Sequence, residues 1–192
     1  MVKISAGSCK GRTLVTGSNQ RIRPTTGRVK EALFSMLAPR INKAKVLDLF
    51  SGSGNLGLEA LSRGAESAFF IDNHRESISL IHENIKRCGF TSNSTVLSGS
   101  ATQEKLYKTI DKQLNKKECK NRGFNLVFLD PPYGKGMAQT AINHLIASSL
   151  LLADGVIVTE EANNVMVSLP IDWTLWQSRG YSETRINIWT RS

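Results

Sequence analysis

The run Asp130-Pro131-Pro132-Tyr133 places a carboxylate, a rigid turn and an aromatic ring side by side in the chain. It follows residues 124–129, an apolar run rich in strand-forming residues, and prolines cannot extend a central strand because they lack an N–H donor. The sequence therefore predicts a buried strand that ends at Asp130. In open α/β sheets, ligands bind at the carboxyl ends of such strands. An Asp-Pro turn that merely ends a strand is the structural alternative.

The full Asp-Pro-Pro-Tyr run resembles the fourth motif of S-adenosyl-L-methionine (AdoMet)-dependent methyltransferases that act on amino nitrogens. An exocyclic amine on a base is a poor nucleophile because its lone pair is delocalised into the ring. The resemblance implies that Asp130 and the Pro131 carbonyl accept hydrogen bonds from the amine and stabilise its developing positive charge. It implies that Tyr133 stacks on a base swung out of its helix or loop, and that Pro132 completes the catalytic motif.

A glycine-rich loop follows an earlier apolar strand, residues 45–50, and precedes a helix. Gly52-x-Gly54-x-x-Gly57 matches the dinucleotide-binding fingerprint, and Asp72 follows about 20 residues later, where an acid that binds a ribose is expected. This pattern alone allows NAD, FAD or AdoMet as the ligand.

Asp48 favours AdoMet among these ligands. It lies inside the predicted strand, where a charge is costly unless it has a partner. The ammonium group of AdoMet would supply that partner directly or through water, and NAD has no such group. A carboxylate satisfied by loop N–H groups is the structural alternative. The Asp-Pro-Pro-Tyr turn also has no role in hydride transfer.

Positive charge is concentrated near the N-terminus. The first 45 residues account for the whole formal net charge of +9, because they hold ten Lys and Arg residues and one acidic residue, Glu31. A basic segment on a neutral body indicates an arm that binds a polyanion, with a solvated charged face as the alternative. The predicted RNA contacts are Lys10, Arg12, Arg21, Arg23, Thr25, Arg28 and Lys30.

Strands and helices alternate along the predicted chain. Residues 2–6 and 11–15 are predicted to pair as a hairpin with Lys10 and Arg12 near its tip. The other predicted strands are 45–50, 68–71, 96–97, 124–129, 156–160 and a C-terminal antiparallel pair, and the predicted helices are 29–37, one from about Leu56 to before Gly64, 75–88, one within 102–122, and 137–147. This order implies a doubly wound α/β sheet of seven strands, mostly parallel, with the last strand antiparallel.

Other classes of protein are disfavoured. The chain has no apolar run of about 18 residues, so no transmembrane helix is expected, and its first residues do not resemble a signal peptide. Cys9, Cys88 and Cys119 fit neither a disulfide framework nor a metal site, which favours a reducing cytoplasm and no bound metal.

Four groups of segments, in the same order along nearly the whole chain, resemble the RsmD family of 16S ribosomal RNA guanine-N2 methyltransferases. The segments are residues 4–7 with Gly11-Arg12, Arg23-Pro24-Thr25-Thr26 with 28–34, 47–54 with 56–65, and Asp130-Pro131-Pro132-Tyr133. The resemblance implies the Rossmann-like fold of class I methyltransferases. It also implies AdoMet as methyl donor, S-adenosylhomocysteine as product and one guanine of 16S rRNA as acceptor.

The resemblance also implies which residues bind the cofactor: Asp48, Phe50, Gly52, Gly54, Asp72, Ser100 and Ala101. One position departs from the family pattern, since Ser98-Gly99-Ser100-Ala101 stands where many relatives have an acid that bonds the adenine amino group. Ser100, or the backbone of Ala101, is expected to take that role.

Residues 1–26 are interpreted as a basic, RNA-contacting hairpin and loop, and residues 27–192 as the methyltransferase domain. The expected partner is 16S rRNA within a partly assembled small ribosomal subunit, and a monomer is expected. The motif by itself does not choose between guanine N2, adenine N6 and cytosine N4. A DNA amino-methyltransferase and a non-catalytic RNA-binding module therefore remain as alternative functions.

Overall fold

The structure, a computed structural model, describes residues 1–17, 27–115, 122–132 and 135–191. The hairpin strands are β1 (Val2–Lys3) and β2 (Thr13–Leu14), and the other strands are β3 (Lys45–Leu49), β4 (Ser67–Asp72), β5 (Ser94–Ser98), β6 (Phe124–Leu129), β7 (Leu151–Ala162), β8 (Trp173–Tyr181) and β9 (Thr184–Arg191). The helices are α1 (Gly27–Met36), α2 (Ala38–Ile41), α3 (Asn55–Ser62), α4 (Arg75–Cys88), α5 (Glu104–Asn115) and α6 (Met137–Ala147).

The seven later strands form one sheet in the order β5-β4-β3-β6-β7-β9-β8. Strands β5, β4, β3, β6 and β7 pair in parallel, whereas β9 pairs antiparallel with both β7 and β8. The predicted seven-stranded, doubly wound α/β sheet with an antiparallel last strand is therefore confirmed. The strand order reverses between β3 and β6, and ligand-binding crevices form at such a switch point.

The sheet is buried on both faces. Val46 belongs to an apolar core shared with α1, α3 and α4, whereas Leu47 and Leu49 belong to a second core shared with α5 and α6. Successive side chains of a strand point to opposite faces, so a strand covered on both sides is a continuous apolar run. Asp48 is the exception in β3, and it shares the face of Val46.

The predicted N-terminal hairpin is present, but its pairing is shorter than the predicted strands 2–6 and 11–15, since only Val2 with Leu14 and Lys3 with Thr13 are paired. It is packed on the body of the protein, because its apolar side chains lie in the same core as α1 and α3. Gly7 has φ +83° and an added Cβ would lie 1.7 Å from the Ser62 carbonyl oxygen, so only glycine permits this approach to α3. Lys10 and Arg12 are exposed, as expected for the hairpin tip.

Lys30, predicted to contact RNA, is instead buried. Its side chain is 2% exposed, and Nζ donates to Lys3 O at 2.6 Å, to Asn55 Oδ1 at 2.8 Å and pairs with Glu59 Oε2 at 2.9 Å. An ammonium has three N–H donors, and all three have acceptors here. The prediction was therefore wrong for Lys30, because an intramolecular carboxylate takes the charge. Arg28 is exposed on the same helix.

Glu59 is the acceptor at the centre of this contact and is fully buried. Besides Lys30, it accepts from Ser5 N at 2.8 Å, Ser5 Oγ at 2.7 Å, Ala6 N at 3.1 Å and Arg63 Nε at 2.8 Å. Burial opposes the ionisation of Glu59, but the hydrogen bonds from Lys30, Ser5 and Arg63 outweigh it and hold its pKa below the ordinary value. The pair therefore joins the hairpin, α1 and α3.

We expect the substitution Lys30→Met to lower the free energy of unfolding by about 3–5 kcal/mol, because it leaves Glu59 buried without its main counter-ion. Urea unfolding followed by circular dichroism measures this change. Lys108→Met is the matched control, since Lys108 pairs with Glu104 on an exposed helix surface, where such pairs contribute little. Equal unfolding midpoints for the two variants would contradict the structural role of Lys30.

Candidate active site

A cavity of about 880 Å³ opens at the carboxyl ends of β3, β4, β5 and β6. Its lining includes most of the predicted catalytic and cofactor-binding residues: Asp48, Phe50, Gly52, Asp72, Ser100, Ala101, Asp130, Pro131 and Pro132. Segments that are far apart in sequence thus meet at the switch point of the sheet. Gly54 is not part of the lining, and the predicted residues Arg21, Arg23, Thr25 and Tyr133 lie outside the residues that the structure describes.

The loop between β3 and α3 turns sharply to form one wall of the cavity. Phe50 has φ +66°, an uncommon conformation for a residue with a side chain, while Gly52 and Gly54 have φ +56° and +81°. Ser51 fixes the loop to the neighbouring strand, because its N–H donates to Ile71 O at 2.9 Å and its Oγ accepts from Ile71 N at 2.9 Å. Gly54 contributes by starting α3 rather than by lining the cavity.

Asp48 lies beneath this loop and is 2% exposed. Its Oδ2 accepts from Gly57 N at 2.9 Å, so one backbone N–H from the first turn of α3, rather than from the loop, partly satisfies the carboxyl group. Burial raises the pKa of Asp48 to about 7, against the lowering effect of the Gly57 hydrogen bond and with help from the negative charge of Asp72. A buried carboxyl group that lines a cavity and has one N–H donor favours a cationic ligand there.

Asp72 ends β4 on the same side of the cavity. Its two oxygens accept from Gly52 N and His74 N, both at 2.9 Å. These bonds fix the carboxylate in one orientation, and each oxygen retains a further lone pair for a ligand donor. The position suits recognition of vicinal hydroxyl groups.

The loop after β5 carries Ser100 and Ala101. Ser100 Oγ and Thr102 Oγ1 are 2.8 Å apart and share a hydrogen bond. The Tyr107 hydroxyl lies 2.8 Å from Ala101 O and 3.0 Å from Ala141 O, so α5 ties this loop to α6. Burial raises the pKa of Tyr107 and keeps its hydroxyl protonated as a donor. Tyr107 supports the site from outside the cavity. The sequence indicates this role only weakly, because Tyr107 stands beside the apolar residue Leu106 in α5.

Asp130 and Pro131 follow the last residue of β6, where the strand pairs Leu129 with Leu49 of β3 and Thr159 of β7. The motif therefore lies near the centre of the carboxyl-terminal edge of the sheet. Asp48, Asp72 and Asp130 all line the cavity, and three carboxyl groups in one lining favour ligands that carry N–H and O–H donors.

Sequence reasoning missed several residues of the lining. They include Asn55, Asn73, His74, Ser77, Lys135 and Met137. Asn55 occupies a variable position of the glycine fingerprint, so only its polar side chain could have indicated from the sequence that it lines the site. Asn84 of α4 was missed as a support: it bonds Val15 N and O at 2.8 Å each and Ser53 O at 2.9 Å, which joins the hairpin to the glycine-rich loop.

Neither a metal-binding cluster nor a membrane-spanning helix is found in the part of the chain that the structure describes. No group of three or more His, Cys, Asp or Glu residues there is arranged to hold a metal ion. None of the helices described there is both long and apolar enough to cross a membrane.

Comparison with known proteins gives consistent matches along the chain. Residues 2–190 match the family described as Conserved hypothetical protein 95. Ribosomal RNA small subunit methyltransferase D of Haemophilus influenzae is 32% identical, covering 93% of this chain and 88% of that protein. The protein of the same name from Escherichia coli K12 is 32% identical over 99% of this chain and 90% of its own length. A solved structure of Escherichia coli yhhF, described as a candidate methyltransferase, superposes with a TM-score of 0.83 at 31% identity, covering 100% of this chain and 98% of that one.

We expect Gly57→Ala to destabilise the protein by about 1–3 kcal/mol, although alanine ordinarily favours a helix interior. An added Cβ would lie 2.4 Å from Phe70 Cε1 and 3.1 Å from Asp48 Oδ2, so α3 would have to move away from the sheet. The control is Gly27→Ala in α1, where no atom lies within 4 Å of the added Cβ. Thermal unfolding of both variants tests the prediction, and an unchanged midpoint for Gly57→Ala would contradict it.

Proposed function

The chain belongs to the Conserved hypothetical protein 95 family, which includes the ribosomal RNA small subunit methyltransferase D proteins (RsmD), and on that premise we propose that it is an AdoMet-dependent methyltransferase acting on guanine N2 of 16S rRNA. The observation that carries the proposal is that one cavity is lined by residues of the glycine-rich loop, by Asp72 and by Asp130-Pro131-Pro132. The proposed cofactor-binding residues and the proposed amine-binding motif would thus adjoin the same space.

The residues of the cavity fit AdoMet by their chemistry. Asp48, buried and short of a cation, would hold the ammonium group, and Asp72 would accept from the ribose hydroxyls. Ser100 and the Ala101 backbone would contact the adenine, with Phe50 and the turn at Gly52 beside them. When bound, AdoMet supplies a methyl group on a sulfonium centre, and S-adenosylhomocysteine is the product.

The acceptor side of the cavity would bind and orient the base. Asp130 and the Pro131 carbonyl would accept hydrogen bonds from the exocyclic amine, so that its lone pair points along the line of attack. The carboxylate would also stabilise the positive charge that grows on the nitrogen before its proton leaves. Tyr133, next in the motif, would stack on the base.

The name of the relatives supports 16S rRNA as substrate, and the charge distribution agrees with it. Lys10, Arg12 and Arg28 are exposed, and together with Arg21, Arg23 and Thr25 they would form the RNA-contacting segment within residues 1–30. RNA recognition by such a small enzyme favours a folded ribonucleoprotein surface. A partly assembled small subunit in the cytoplasm is therefore the proposed partner of a monomeric enzyme.

We expect AdoMet binding to weaken as the pH falls below 7. In the free protein Asp48 has a pKa of about 7, and an ammonium ligand favours its charged form, so binding at lower pH must first remove a proton. Affinity should fall by up to about tenfold per pH unit below that pKa. Calorimetry between about pH 5.5 and 7.5 avoids most of the titration of the ligand's own amino group.

The control for this pH dependence is Asp48→Asn, which cannot ionise. The variant should bind AdoMet more weakly at pH 7.5 and show little change of affinity across the same range. An affinity of the wild-type protein that does not change with pH would contradict the assignment of Asp48 to the ammonium group.

Asp130→Ala should reduce methyl transfer by about 10²–10³-fold, as expected when one preorganised acceptor is lost, while AdoMet affinity stays nearly unchanged. The assay uses AdoMet with a labelled methyl group and partly assembled small subunits from cells that lack the enzyme. Nucleoside mass spectrometry of the RNA identifies the acceptor, and N2-methylguanosine at one position of 16S rRNA is the expected product.

The same assay, run in parallel with DNA as the acceptor, separates the alternatives. N6-methyladenine or N4-methylcytosine in DNA, with no label in ribosomal RNA, would identify a DNA amino-methyltransferase. Tight RNA binding without any transfer would identify a non-catalytic RNA-binding module. Full turnover by Asp130→Ala would mean that Asp-Pro-Pro-Tyr serves only as a turn.

A further inference from the structure

Asn55, the first residue of α3, has a side-chain amide whose orientation is fixed. The residue is 8% exposed, and its Oδ1 accepts from Lys30 Nζ at 2.8 Å. A lysine ammonium can only donate, so the oxygen of the amide must face Lys30 and the NH₂ group must face away. Lys30 is itself held by Glu59 and Lys3 O, which leaves this arrangement little freedom.

The NH₂ group of Asn55 has no hydrogen-bond partner in the part of the chain that the structure describes. The fully enclosed polar side-chain atoms without a partner there are Ser94 Oγ and Trp173 Nε1, so Asn55 Nδ2 keeps some accessible surface. The cavity is the space that Asn55 lines. A donor in a side chain that is more than nine-tenths buried is thus presented to the cavity, ready for an acceptor on a ligand.

The surroundings of Asn55 favour an anionic acceptor. The first N–H groups of a helix lack intrahelical partners and carry partial positive charge. In α3 the Gly57 N–H donates to Asp48, whereas Asn55 and Leu56, the two residues that precede Gly57, line the cavity. The buried ammonium of Lys30 lies directly behind the amide and fixes its orientation, while its charge is balanced by Glu59.

Asp48 accepts from Gly57, which lies two residues after Asn55 in α3. The cavity lining therefore holds both the Asp48 carboxyl group, which can accept from a cation, and the Asn55 amide, which can donate to an anion. This pairing matches an α-amino acid, which carries its ammonium and carboxylate groups on one carbon atom. A ligand with only one of the two groups would leave the other position unmatched.

We propose that Asn55 binds the carboxylate at the amino-acid end of AdoMet through its Nδ2, next to the ammonium group held by Asp48. The inference rests on the proposed function and deepens it, because it assigns a recognition role to a residue that the glycine fingerprint leaves variable. Lys30 is then a positioning residue, since it sets the orientation of the amide without touching the ligand.

The test uses calorimetry with two ligands, AdoMet and decarboxylated AdoMet, which keeps the sulfonium and the ammonium but lacks the carboxylate. Wild-type protein should bind decarboxylated AdoMet about tenfold or more weakly, as expected for the loss of a hydrogen bond to a charged group. Asn55→Asp should reduce AdoMet affinity by at least about tenfold and leave the affinity for decarboxylated AdoMet unchanged or higher.

Asn55→Asp is chosen because an aspartate oxygen still accepts from Lys30, so the thermal midpoint should be retained. Asp48→Asn is the matched control and should weaken both ligands, since both carry the ammonium group. A second control, Ser77→Ala, removes another polar side chain of the lining and should not discriminate between the ligands.

An equal effect of Asn55→Asp on the two ligands, or no effect on either, would overturn the role of Asn55. A loss of thermal stability in Asn55→Asp together with such an equal effect would assign the residue to structure alone. Failure of the proposed function is a separate result, because wild-type protein would then bind neither ligand.

Discussion

The buried ion pair between Lys30 and Glu59 is the contact on which the rest of the structure depends. Two charges removed from water are costly unless each finds several partners, and here the ammonium has three acceptors while the carboxylate also accepts from Ser5, Ala6 and Arg63. Those partners come from the hairpin, α1 and α3, so the pair determines how three segments meet. The start of α3 forms the cavity wall, and its position follows from the same contact.

The cavity has two costly features, a strained backbone at Phe50 and a buried carboxyl group at Asp48, and neither is needed merely to connect a strand to a helix. Phe50 has a positive φ, Asp48 is buried, and Asp72 lies near enough to raise the pKa of Asp48. The negative charge of Asp72 disfavours the ionisation of Asp48, and a cationic ligand relieves that repulsion. Binding at this site is therefore electrostatically complementary, with the rigid glycine-rich loop already shaped around the space.

Much of the fold and part of the site were predictable because the relevant signals are local. The helix predicted at 75–88 from its apolar spacing has the bounds of α4, and Gly89 follows its end with φ +74°. The predicted strand 124–129 has the bounds of β6, and the helix predicted at roughly 137–147 corresponds to α6. Parallel strands place their carboxyl ends at one edge, so the glycine-rich loop, Asp72 and Asp130 had to gather there once the alternation of strands and helices was recognised. The pattern of Lys and Arg, by contrast, misassigned Lys30.

The sequence by itself determined the order of elements, the residues at the carboxyl ends of the strands and the basic character of the N-terminal segment, because each depends on residue type and near neighbours. Only the tertiary structure decided which of the basic residues faces solvent. Lys30 is buried because Glu59, 29 positions later, comes to lie beside it when α1 packs on α3. The orientation of Asn55 and the support from Asn84 depend on the same long-range packing, since a polar side chain takes its role from the partner that the fold brings to it.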